Sequence, residues 1–196
     1  MEYRTGRTDR TAHLISHLLS PAAVALVVFG SLTSWNGWGR YWTCGVVGIG
    51  FFTLVPGFTL ALLKRRGGIA GDVYDPPPRV RERILLAGAT CYLAGYGGLT
   101  LCASPPVMLW GGATFLCGSL LTWLIGKRWK ISIHAGGVSG GGVILLTVGG
   151  VELWPILAAV PLVGWARLRR RAHTPAQVLA GLGMGALLAV LLRPLF

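Results

Sequence analysis

The sequence predicts an all-α fold: a polytopic transmembrane helical bundle of six to seven spans, one integral membrane domain over residues 1–196. Three observations lead there. First, 53% of the residues are hydrophobic, only 12% are charged, and the mean hydropathy is +0.63. A soluble surface needs far more charge than that, so the outer surface of this chain meets lipid. Second, the apolar residues come in runs close to the roughly 20 needed to cross a bilayer as a helix. Third, thirty glycines suit helices that pack in lipid, where small residues let backbones approach closely.

Taken in order, the runs are 12–34, 41–63, 84–104, 107–126, 132–150, 153–168 and 175–194. The first has no obvious small-residue cleavage site and is long enough to cross, so it reads as a span and not a signal peptide. The last three are short, and 153–168 fits a tilted helix. Two runs forming one broken span would bring the count to six. The longest polar stretch is 64–83, with Pro76, Pro77 and Pro78 in its second half. Three prolines cannot continue a helix, so the stretch reads as an extended loop. Loops of this length in compact proteins are often functional.

The net charge is +12, which in a soluble chain would suggest nucleic acid. Here the basic residues sit in short clusters between apolar runs, a pattern of topology and headgroup binding, and nucleic acid is excluded. With alternating spans, one side holds the N-terminus and the 64–83, 127–131 and 167–174 segments. Sixteen of the eighteen Lys and Arg residues fall on that side, leaving Arg40 and Arg193 on the other. The positive-inside rule makes the basic side cytoplasmic. It also lets the basic loops converge on one site.

Other features have plainer readings. Cys44, Cys91, Cys102 and Cys117 fall in or near apolar runs without CxxC spacing, and read as small buried apolar residues. His13 and His17 are an i, i+4 pair with no third ligand in view, so packing is preferred to a metal site. Asp72 and Asp75 resemble half of an acidic magnesium motif that has no second half. Trp35, Trp38 and Trp42 cluster at one boundary, and Trp129 and Trp165 at the other, as interfacial anchors do. No metal or other cofactor is expected.

The chemistry concentrates in two short segments, Lys130-Ile131-Ser132-Ile133-His134 and Arg167-Leu168-Arg169-Arg170-Arg171-Ala172-His173. Ser, His and Arg at the mouths of apolar helices suit a phosphate. Arginine offers a planar fork to its oxygens, and a helix N-terminus adds N–H groups and a positive dipole end. Ser132 is a natural N-cap with a hydroxyl available to the anion, and Pro175 is well placed to start the last helix. Two histidines at one phosphate suggest that one attacks phosphorus while the other protonates the leaving oxygen.

Here the residues resemble the type 2 phosphatidic acid phosphatase superfamily, over about residues 72–185. That family's third motif is Ser-Arg-x5-His-x3-Asp; this chain has Ala166-Arg167, five residues, His173, three residues and Gln177. Its second motif is Pro-Ser-Gly-His, met here by Ile131-Ser132-Ile133-His134. Its first motif, Lys-x6-Arg-Pro, has in its place the segment that ends Arg79-Val80-Arg81-Glu82-Arg83. The resemblance implies a phosphatase-like core at about 72–194 in a bacterial inner-membrane protein. It implies His173 as nucleophile, His134 as general acid, Gln177 in the orienting position, and Arg79, Arg81, Arg83, Lys130, Ser132 and Arg167 around the phosphoryl oxygens. The implied partner is a membrane lipid phosphate or isoprenoid phosphate. Gln177 stands where the family has an acid, Ile133 where it has glycine, and Ala166 where it has serine. These departures keep a second expectation alive, a protein that binds or transports a phosphate-bearing lipid without hydrolysing it.

Overall fold

The computed structural model describes residues 7–67 and 76–196, so Arg4, Asp72 and Asp75 lie outside the described residues. The described residues form an all-α bundle with no strand. Five helical stretches are long and apolar enough to cross a membrane, and Ile133–Gly149 is a shorter apolar helix beside them. This is the architecture of an integral membrane protein.

The first helix, α1 (Arg7–Leu18), is not the start of a span. It is polar, it packs on α7, and Arg169 joins it through Asp9 at 3.1 Å and the Thr8 hydroxyl at 3.1 Å. The expected span from residue 12 is cut at Ser20. Its side chain accepts from the Ala23 N–H at 3.3 Å and caps α2 (Pro21–Ile49), with Pro21 in the first turn. A serine cap followed by proline is a helix start, and that signal outweighed the continuous hydropathy.

Helix α2 runs on through a π turn (Gly50–Leu54) into α3 (Val55–Arg65), a 45-residue stretch. It is a hairpin and not one rod. Gly37 takes φ +98°, a conformation that needs glycine, and Tyr41 is also non-helical. The arms then return on each other. Gly45 abuts Thr33, Gly48 abuts Phe29, and the Thr53 hydroxyl donates to the Ala22 carbonyl at 3.0 Å.

Helix α4 (Pro78–Leu101) begins six residues before the expected 84. The prolines do not hold the chain extended to residue 83. Pro77 takes the cap position and Pro78 the first helical position, where a missing N–H costs nothing. Pro105 and Pro106 start α5 (Pro106–Gly126) in the same way. After α6 (Ile133–Gly149) comes a 3-10 segment (Val151–Ala158) that continues into α7 (Ala159–Arg169). Then α8 (Pro175–Leu192) closes the bundle.

Contacts fix the directions. Gly112 meets Leu99 and Gly126 meets Leu85, so α4 and α5 are antiparallel. Gly136 meets the Gly181 carbonyl and Gly140 that of Gly185, so α6 and α8 are parallel. Counting the two arms of the hairpin, the described residues form seven rods, each antiparallel to the one before it in the chain. The core sits between α2, α4, α5 and α6, where Phe29, Phe52, Tyr92 and Phe115 stack in one aromatic cluster. One end of the bundle gathers the N-termini of α2, α4, α6 and α8 and the C-termini of α3, α5 and α7. That end holds the basic clusters. Arg40 and Arg193 lie at the other.

Candidate functional site

The parallel α6–α8 pair brings two helix N-termini side by side. The Ser132 N–H donates to the Gln177 carbonyl at 3.2 Å, which locks the start of α6 to the first turn of α8. Ser132 is fully buried and caps α6 by accepting from the Ala135 N–H at 3.4 Å. Its hydroxyl serves the helix and is not part of the cavity wall. Thr174 caps α8 reciprocally with Gln177: the Thr174 hydroxyl accepts from the Gln177 N–H at 3.4 Å, and Gln177 Oε1 accepts from the Thr174 N–H at 3.1 Å.

His173 ends the short connection before that cap. Its Nδ1 lies 3.2 Å from the Lys130 carbonyl and 3.3 Å from Gln177 Oε1. The Thr174 N–H can only donate, so the Gln177 atom facing it is oxygen, and both neighbours of Nδ1 are acceptors. The ring is therefore protonated on Nδ1 and keeps its lone pair on Nε2. Burial, then the Arg167 guanidinium, then Lys130 push its pKa down to about 4, and the ring is neutral at pH 7.

Arg167 is the largest fully buried side chain, 1% exposed, and stands close enough to both His134 and His173 to act on them electrostatically. Positive φ at Arg171 turns the chain after α7, and the Ala172 N–H closes that turn on the Arg167 carbonyl at 3.1 Å. His134, 4% exposed in the first turn of α6, has its ring against the backbone carbonyl of Ser16 on α1. Arg81 reaches from α4 to donate to the Ile131 carbonyl at 2.8 Å.

These groups wall one cavity of about 340 Å³. At its basic end stand His17, Arg81, Lys130, His134, Arg167 and His173. The rest of the wall is mainly apolar, with Leu60 and Leu63 from α3, Ile84, Leu85 and Tyr92 from α4, and Ile133 from α6, and with Ser20, Thr59 and Ser119 among them. No residue of α3 is buried, so that wall is itself a surface helix.

Of the site residues expected from sequence, His134, His173, Arg167, Lys130 and Arg81 line the cavity, and Gln177 touches it through His173. Arg79 and Arg83 are exposed on α4 and do not line it. These arginines stand at two-residue steps around α4, and of the three only Arg81 lies on the face turned to α5 and α6. His17 lines the mouth and was read from sequence as packing. The signal for it was the Ser20-Pro21 helix start, which ends α1 and turns His17 toward the next helices. No protein-family model, curated protein or solved structure matches this chain.

Proposed function

We propose that this protein is a membrane-embedded, metal-independent phosphatase for a lipid phosphate or isoprenoid phosphate, working through a phosphohistidine. One observation carries the reading: two histidines and a buried arginine meet at the polar end of a cavity whose remaining wall is mainly apolar. A phosphate ester with a hydrocarbon tail has that polarity. The phosphate would sit among Arg81, Lys130 and Arg167, and the tail along α3 and α4.

In this reading His173 Nε2 attacks phosphorus, the bond to the leaving oxygen breaks, and that oxygen takes a proton from the substrate phosphate, relayed through His134. Water then attacks the phosphohistidine, its proton passes through His134 to the departing phosphate, and His173 is restored. Arg167 and Arg81 stabilise the charge that grows on the phosphoryl oxygens. The Lys130 carbonyl and Gln177 hold the Nδ1 proton, so the attacking tautomer is set without an acid. The basic end, with its excess of Lys and Arg, would face the cytoplasm.

Gln177 favours a second reading, binding or transport of the same lipid phosphate without turnover, because an amide offers no charge to the imidazolium. Phosphate release from a panel of lipid phosphates by detergent-purified protein separates the two. His173→Ala should lower release on the order of 10³-fold or more, and Arg81→Ala should cost more than Arg79→Ala. Release no greater than that of His173→Ala on every substrate would reject hydrolysis; retained lipid phosphate binding in that case would support the second reading.

A further inference from the structure

At the end of the bundle away from the basic clusters, Cys44 and Cys102 meet although 58 residues separate them. Their sulfurs are 3.0 Å apart, and Cys44 Sγ also donates to the Cys102 carbonyl at 3.3 Å. Cys44 is buried on the descending arm of the hairpin, two residues past the exposed Trp42. Cys102 caps the C-terminus of α4, is half-buried, and is followed by the exposed turn residue Ala103 at φ +50°. The pair therefore sits near the boundary of the bundle, with one sulfur reachable from outside it. Among the described residues no cluster of His, Cys, Asp and Glu suited to a metal includes them.

We propose that Cys44 and Cys102 form a disulfide that ties the hairpin to α4 at the far end of the bundle. The proposal rests on the topology proposed above, in which the basic end is cytoplasmic. The far end then meets the compartment where disulfides persist. The oxidant is a disulfide donor of the thiol–disulfide exchange class. The Cys102 thiolate attacks one donor sulfur, forming a mixed disulfide and releasing one donor thiol. The Cys44 thiolate then attacks the Cys102 sulfur, forming the intramolecular bond and releasing the second donor thiol. Two electrons and two protons pass to the donor, and no other reactant is needed. The bond joins the two rods that lower down wall the cavity, the hairpin arm leading into α3 and α4. It pins them at one end and leaves the end beside the basic site free to part.

The test traps free thiols with N-ethylmaleimide in intact cells making the full chain, followed by non-reducing peptide mapping. A Cys44–Cys102 cross-linked peptide in most chains, with Cys91 and Cys117 as free thiols, is the expected result. Cys44→Ser should leave Cys102 alkylated. A parallel arm treats purified reduced protein with copper phenanthroline. Chains reduced in cells that still cross-link in this arm would overturn the proposal through its topology. Chains that cross-link in neither arm would overturn it through its geometry. The phosphate-release assay is independent of both arms, so failure here and failure of the phosphatase reading are distinguishable.

Discussion

A single side chain, His173, shows how the site replaces the expected acid. The ring is oriented by a backbone carbonyl, that of Lys130, and by an amide oxygen already fixed by the helix cap. Both acceptors favour the charged ring, yet burial, the Arg167 guanidinium and the Lys130 charge outweigh them and hold its pKa at about 4. The sign follows. The free protein keeps an unprotonated Nε2 above about pH 4, so kcat/KM should fall as pH drops through about 4 and not through the ordinary histidine value. The unfolded chain takes up that proton at higher pH, so the stability linked to His173 is full above about 6.5 and declines from there toward 4. Gln177→Glu places a negative charge beside the ring. It should raise the His173 pKa and move the acid limb of kcat/KM to higher pH. A histidine NMR titration checks this, and an unmoved pKa would mean that residue 177 does not act on the ring.

Among the elements, the α6–α8 pair carries the most consequence for the site. A Cβ on Gly185 would strike the Gly136 carbonyl and the Ser139 hydroxyl at 2.5 Å, and one on Gly181 would strike the Ser132 carbonyl. Backbone cannot step aside as a flexible side chain can. Gly185→Ala should therefore cost about 2 kcal/mol or more, read as a lower unfolding temperature in detergent. It should also separate Ser132 from Gln177 and reduce phosphate release. Gly183→Ala on the same helix meets nothing within 4 Å and serves as control. Element boundaries were partly legible in the sequence. Ser132 was visible as a cap because serine before an apolar run is a local signal. The start of α4 is not legible in the same way, because proline ends a helix in its interior yet begins one at its first position. The Gly37 hairpin matched the gap between two apolar runs, while Ser20 was hidden inside a run.

Over the whole molecule, charge and hydrophobicity divide along different axes. Apolar surface surrounds the bundle, with Leu101, Phe58 and Leu179 among the most exposed large side chains. The basic residues gather at one end. With that end inside, a cysteine introduced at exposed Arg128 should resist an impermeant maleimide in intact cells, and one at exposed Val151 should react. The reverse labelling would invert the proposed topology and put the proposed phosphate site outside. A chain lacking its native cysteines should be used, so that Cys102 does not report in place of Val151.

The sequence by itself determined the class of fold, the rods of the bundle, the end that holds the positive charge, and the two histidine segments. Hydropathy, charge clusters and helix caps are local, and each acts over a few residues. Only the tertiary structure decided which residues share a wall. Arg81 faces the cavity while Arg79 and Arg83 do not, because the helix began at Pro78 and set their phase. Lys130 contributes a carbonyl, Ser16 meets His134, and Cys44 meets Cys102, all across separations that no local pattern encodes. Those meetings follow from how the helices pack on one another, closest where glycines face across α6 and α8, which is a property of packed pairs and not of the chain read one residue after another.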